Sequence, residues 1–179
     1  GRPQTAQELV SGPSVGLLFK MRRYDELIPL AEDLMIDDPG NVLVRYLLGF
    51  AYHATGDYDS AIWVLSSTGL PDTVMTNPRS GWDWEGFLTL VNASFGLGEV
   101  EISQGLASWF FDKPDHHENR DWFVEALMSC SLAVLGRDDE ALGMLEQTRR
   151  SPRLVPAYFL EDYLCFQQLA DENRYQAIV

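Results

Sequence analysis

Long apolar runs are missing from this 179-residue sequence. The longest, Val42–Ala54, is interrupted by Arg45 and His53. No stretch approaches the roughly 18–20 residues that a membrane span needs, so membrane insertion by this segment is not expected. Basic residues are scarce and scattered. Thirteen Lys and Arg stand against 27 Asp and Glu, a net charge of −14. Only Lys20–Arg23 and Arg149–Arg153 gather a few cations. A phosphate-binding surface needs clustered Lys and Arg, and a field of this sign repels a polyanion. Direct nucleic-acid binding is therefore not expected, and the acidity is that of a solvated surface that keeps a module soluble.

Cysteine is nearly absent too. Cys130 and Cys165 form neither a disulfide framework nor a metal-ligand spacing. The sequence has no Gly-x-Ser-x-Gly, no phosphate loop and no nucleotide-binding glycine pattern. Carboxylates are plentiful, but nothing in the sequence promises a pocket that would perturb one. No enzymatic activity and no cofactor are expected. His116-His117, with Asp112, Asp115 and Glu118 around it, is the one ligand-like cluster. Adjacent side chains on a helix diverge, and a shared metal prefers a spacing of three or four. Asp115–Glu118 instead reads as the acidic start of a helix, and no metal site is expected. The first residues, Gly1-Arg2-Pro3-Gln4, lack the layout of a secretory signal. They read as the edge of a segment cut from a larger protein.

What the sequence does have is apolar content, 46%, and an internal repeat. The length suits one core or a short stack of repeats, and the apolar share argues against disorder. Tyr24-Asp25-Glu26-Leu27-Ile28 recurs loosely, 34 residues on, as Tyr58-Asp59-Ser60-Ala61-Ile62. Gly49 has no side chain and lets two helices approach closely. Gly56 can take the positive φ that ends a helix. Ala61 fits where a larger residue would force a pair apart, and Asp38-Pro39 ends the preceding helix.

The stretch Leu48-Gly49-Phe50-Ala51-Tyr52, followed by Gly56-Asp57-Tyr58 and Ala61, closely resembles the tetratricopeptide-repeat (TPR) consensus. The resemblance implies an all-α, right-handed TPR-like solenoid of about four helix pairs plus C-terminal capping helices. Its repeats would cover roughly 8–41, 42–75, 84–117 and 122–155, with caps over 156–179, all in a single domain. Gly98 and Gly136 take the turn position in the weaker third and fourth units, 42 and then 38 residues apart. Their helices are expected near Trp84–Phe95 and Glu99–Phe111, then Trp122–Leu135 and Asp138–Arg149. The first unit's opening helix is expected to start at Pro13. Pro156–Ala170 reads as one further helix and Asp171–Val179 as a short last one. In that tail, Asp171, Arg174, Tyr175, Ala177 and Ile178 resemble the close of TPR regions in bacterial multi-domain regulators. Those regions follow a winged-helix DNA-binding domain or a nucleotide-cyclase domain.

In TPR proteins the first helix of each pair lines a concave groove. The resemblance therefore assigns Leu43, Tyr46, Phe50 and His53 to that surface, then Glu85, Leu88, Asn92 and Phe95, then Phe123, Ala126, Cys130 and Ala133. TPR domains that clamp a C-terminal carboxylate place Lys, Arg and Asn at such positions. Only Asn92 fits here, which disfavours a chaperone-tail clamp. An apolar, aromatic stripe suits protein–protein or interdomain interaction, with another protein, a peptide helix or a neighbouring domain of the parent chain as partner. Part of it could equally be filled by the chain's own helices. The alternative is an effector-sensing domain of a bacterial transcriptional or signalling regulator that binds a small ligand in the groove. Self-association stays open. Trp82 and Trp84 follow the long Thr68–Gly81 connection. They serve either as loop anchors or as binding anchors. Equivalent positions on stacked helices lie ~8–10 Å apart, beyond the ~7 Å Cα limit of a disulfide. Two free thiols are thus expected at Cys130 and Cys165. This would agree with a cytoplasmic home, the alternative being a periplasmic sensor region.

Overall fold

The computed structural model describes residues 14–67, 81–112, 122–148 and 157–178. Among them every regular element is a helix. These are α1 (Val15–Lys20), α2 (Tyr24–Asp37), α3 (Val42–Ala54), α4 (Tyr58–Ser66), α5 (Gly81–Gly96) and α6 (Val100–Phe111). They are followed by α7 (Trp122–Val134), α8 (Asp138–Thr148), α9 (Ala157–Asp162), α10 (Leu164–Gln167) and α11 (Asn173–Gln176). The chain divides into two compact units, Gly1–Gly86 and Phe87–Val179.

One turn geometry joins four helix pairs. Gly56, Gly98 and Gly136 sit at φ of 83°, 79° and 71°. Each donates its N–H to the carbonyl three residues back: His53, Phe95 and Ala133. The next residue reaches the carbonyl five back: Tyr52, Ser94 and Leu132. This pattern satisfies the carbonyls that a helix end leaves over, and it needs a left-handed residue at the turn. The first pair makes the same turn without glycine. Arg22 takes φ 54°, Arg22 N–H reaches Phe19 O, and Arg23 N–H reaches Leu18 O. Arg22 stands 34 residues before Gly56, at the same place in the repeat. Five residues after each turn residue come Leu27, Ala61, Ser103 and Ala141, all fully buried.

The second helices start with varied caps. Asp57 Oδ1 accepts from Ser60 N–H at 3.2 Å. At the equivalent place Arg137 grips Glu140 with two bonds of 2.8 and 2.7 Å, and Arg23 grips Glu26 likewise. Outside these pairs, Ser14 caps α1 and Asn41 caps α3 through side-chain oxygens that accept from Leu17 and Val44 N–H. The start expected at Pro13 lies outside the described residues.

In the first unit α2 packs on α1 and α3, and α3 on α4. Phe19 of α1 meets Phe50 of α3 edge-on, with centroids 5.0 Å apart. In the second unit Phe87 of α5 packs on Trp109 and Phe110 of α6, at 5.5 and 6.1 Å. There α7 sits among α6, α8 and α10, and every described side chain from Ala126 to Val134 is buried.

Two expectations fail at the C-terminus. The single helix expected over Pro156–Ala170 is broken. Tyr163 takes an extended conformation, ψ 126°, between α9 and α10. Its side chain is fully buried and its hydroxyl lies 3.1 Å from Thr89 Oγ1. The last helix, expected from Asp171 to Val179, covers only Asn173–Gln176. The break changes the cysteine geometry. Cys130 and Cys165 are not free thiols; they form a disulfide, with Cα atoms 5.4 Å apart. The separation of ~8–10 Å assumed two regular stacked helices. The interrupted segment brings Cys165, at the start of α10, closer to α7 than a repeat helix would lie.

Candidate functional site

Most of the described positions assigned from the TPR register are buried, each within its own unit. Tyr46, Phe50 and His53 are buried in the first unit, and Leu88 and Asn92 in the second. Phe19 covers Tyr46 and Phe50, with centroids 6.3 and 5.0 Å away. The Tyr46 hydroxyl donates to Glu85. Burial pushes the Glu85 carboxyl above its usual range, and the Tyr46 bond works against that. His53 sits between Phe50 and Tyr58, and burial lowers its imidazole to about 4. Asn92 spends its amide on the disulfide. Oδ1 accepts from Cys165 N–H at 2.9 Å, and Nδ2 donates to Leu88 O at 2.9 Å and to Cys130 Sγ at 3.2 Å. Ala126, Cys130 and Ala133 are buried as well. Of the assigned positions, Leu43 is 42% exposed, and Phe95 and Trp84 are half-buried. The side chains of Trp82 and Phe123, most of the Thr68–Gly81 connection and the His116-His117 pair lie outside the described residues.

An open concavity lies elsewhere, on α2, α3 and α4 of the first unit, with a volume of about 790 Å3. Helical spacing builds each wall. Met35 and Ile36 come from α2, with Glu32 and Asp33 one turn before them. Arg45, Leu48 and Tyr52 follow one face of α3, and Ser60, Trp63, Val64 and Ser67 one face of α4. Trp63 is 72% exposed and Ile36 77%. The core stripe of α4 is Ala61, Val64 and Leu65, and that of α2 is Leu27 and Ala31. Trp63 and Ile36 lie off those stripes. A large apolar residue off the core stripe of its own helix is the sequence signal that points here. The groove was missed because the family pattern directs attention to first helices, whereas two of its walls are second helices.

The polar parts of this groove are partly committed. Tyr52 donates its hydroxyl to Glu32. Burial first, then this bond and the Glu32 charge, raise the Tyr52 phenol well above its ordinary value. Arg45 donates to the Pro39 carbonyl. The three helices carry Asp25, Glu26, Glu32, Asp33, Asp37 and Asp59 against the single Arg45. Of these, Glu32, Asp33 and Arg45 line the concavity, so its apolar floor is flanked by two carboxylates and one guanidinium.

A second concavity, about 320 Å3, lies in the second unit between the start of α8 and Glu172. Its walls are Gly136–Glu140, Leu142 and Glu172. Among the described residues no three His, Cys, Asp or Glu are grouped to hold a metal ion, and no helix is long and apolar enough to cross a membrane. No known family model matches the chain. No curated protein matches it.

Proposed function

We propose that this chain is a TPR-like interaction module, without catalytic activity, that docks a partner on the α2–α3–α4 trough. The repeat assignment is supported by four turns of one geometry, at Arg22, Gly56, Gly98 and Gly136. The docking assignment rests on one observation: Trp63 and Ile36 are more than two-thirds exposed on the walls of one concavity. Large exposed apolar groups gathered in one place mark interaction surfaces, and tryptophan is enriched where binding energy concentrates.

Charge selects the partner. Two carboxylates, Glu32 and Asp33, line the trough beside one guanidinium, Arg45, that is already bonded to the Pro39 carbonyl. A fitting occupant is a peptide segment or helix that sets a large apolar side chain into the trough and Lys or Arg against its flanks. A small effector is less well served. Ligand sites usually wrap ~70–90% of a small molecule, and here the two largest apolar walls stand open.

The test uses two synthetic amphipathic peptides with the same apolar face, one bearing Lys and Arg and the other Glu. Fluorescence anisotropy should show binding of the basic peptide alone. Trp63→Ala should weaken it by ~2 kcal/mol or more, about 30-fold, with helicity unchanged by circular dichroism. Equal binding of both peptides, or unchanged binding to Trp63→Ala, would overturn the assignment.

A further inference from the structure

We propose that the Cys130–Cys165 disulfide is a redox latch. It holds the C-terminal cap, α9 to α11, against α7. The cap sits on the face of α7 that carries Cys130 and Ala133. Cys165 is bonded to Cys130, and Gln168 Nε2 donates to Ala133 O at 2.6 Å. Both positions face the cap from one side of α7, three residues apart.

The attachment has a covalent part and several weaker ones. Asn92 ties both halves together through Cys165 N–H and Cys130 Sγ. Tyr163 meets Thr89, and Arg174 reaches Glu146 and Asp139 of α8 at 2.8 and 3.1 Å. The ion pairs are exposed and contribute little. The cap's helices have six, four and four residues, far below the length at which helices hold by themselves. The cap therefore depends on its packing, with Leu160, Tyr163, Phe166, Leu169 and Tyr175 buried, and on the bonds that tie it to α7. The disulfide spans 35 residues, and closing a loop of that length shifts an opening equilibrium by roughly two to three orders of magnitude.

The chemistry balances with a dithiol reductant. One thiolate of the reductant attacks a sulfur of the disulfide and forms a mixed disulfide. Its second thiolate closes the reductant's own disulfide. Cys130 and Cys165 each take up a proton, and two electrons have passed to the protein. Both sulfurs are fully buried. Attack therefore waits for a local opening of the cap, and the reaction is slow in the closed state.

Hydrogen exchange read by mass spectrometry tests the latch on the 179-residue chain, before and after dithiothreitol. The Cys130→Ala/Cys165→Ala variant serves as a reagent-free control. We expect amide protection in residues 160–178 and in the Cys130–Ala133 turn of α7 to fall by roughly 100- to 1000-fold on reduction. Protection in α3 and α4 should not change. Unchanged protection of the cap would overturn the proposal, because packing alone would then hold it. Loss of protection throughout α5 to α8 would also overturn it, because the bond would then be a staple of the whole core. Two reactive thiols in denatured, unreduced protein would remove its basis. If the double variant fails to fold, the dithiothreitol arm on the native chain still decides between these results.

Discussion

Gly49 and Gly105 are both inside helices, and the structure assigns them opposite responses to one methyl group. A Cβ built on Gly49 would lie 2.7 Å from Leu65 Cγ and 2.8 Å from Cδ2. Carbon atoms rest at ~3.5–4.0 Å, so something must move by most of an ångström. Cγ is the branch point of Leu65, and the side chain is buried between α3 and α4. A methyl flip does not relieve the clash; the leucine must leave its rotamer or the helices must part. Such overpacking costs ~1–3 kcal/mol. Replacing a mid-helix glycine by alanine returns ~1 kcal/mol of helix propensity. Gly49→Ala should thus lose up to ~2 kcal/mol. Gly105 has nothing within 4 Å of its virtual Cβ and is exposed. Gly105→Ala should keep the whole propensity gain, ~1 kcal/mol. Gly16 is also open and gives a control within the first unit, where Gly16→Ala should be neutral or slightly stabilising. Urea unfolding followed by circular dichroism measures all three. Gly49→Ala at or above the stability of Gly105→Ala would refute the close approach of α3 to α4.

Acidification should cost stability through His53. Its folded value of about 4 lies below the ordinary 6.5, so the unfolded chain binds the extra proton between those limits. The contribution is complete above pH 6.5 and is lost as pH falls towards 4, ~2 kcal/mol by pH 5. Comparing His53→Leu with the native chain at pH 7 and pH 5 isolates it, since Glu85, raised by burial, shifts both proteins alike; parallel stability profiles would refute it. Arg22→Gly should raise stability by ~0.5–1 kcal/mol, because a left-handed residue with a side chain costs more than glycine loses in chain entropy; a lowered melting temperature would count against the turn. Phe50→Ala removes a fully buried ring touching Phe19 and Tyr46 and should cost ~3–5 kcal/mol. Near-native melting together with weakened peptide binding would instead return Phe50 to a binding surface.

The parts of the fold that were legible are those with a local signature. Gly56, Gly98 and Gly136 announce their turns because glycine takes positive φ at no steric cost. Apolar spacing marks α2 to α8 to within a few residues. Arg22 has no such signature, and only the 34-residue shift points to its turn. The Tyr163 break was illegible for a physical reason. No glycine or proline stands there, and the extended conformation is chosen by a distant partner, Thr89, and by burial of the ring. The disulfide inherits that problem. Its 5.4 Å Cα separation goes with the break in the helix expected over Pro156–Ala170.

Asn92 shows how the chain itself meets a position that the register assigns to a partner. Its place in the register is that of a ligand-contacting residue, and its amide does make the bonds of one. The ligand is the chain itself, through Cys165 N–H and Cys130 Sγ. Phe19 does the same over Tyr46 and Phe50 in the first unit. In both units, then, the stripe that an open repeat would offer to a partner is met by the chain's own elements, α1 in one and α10 in the other. The two most exposed of the large apolar side chains, Ile36 and Trp63, stand off the core stripes of α2 and α4, which the family pattern leaves unassigned. The thiol argument for a cytoplasmic home disappears with the free cysteines. The docking trough and the latch are independent: Trp63 and Ile36 belong to the first unit, and the disulfide to the second. A partner of basic, apolar chemistry should therefore bind the oxidised and the reduced chain alike through the trough that Trp63 and Ile36 line. A binding event that appears only after dithiothreitol, and survives Trp63→Ala, would refute that independence.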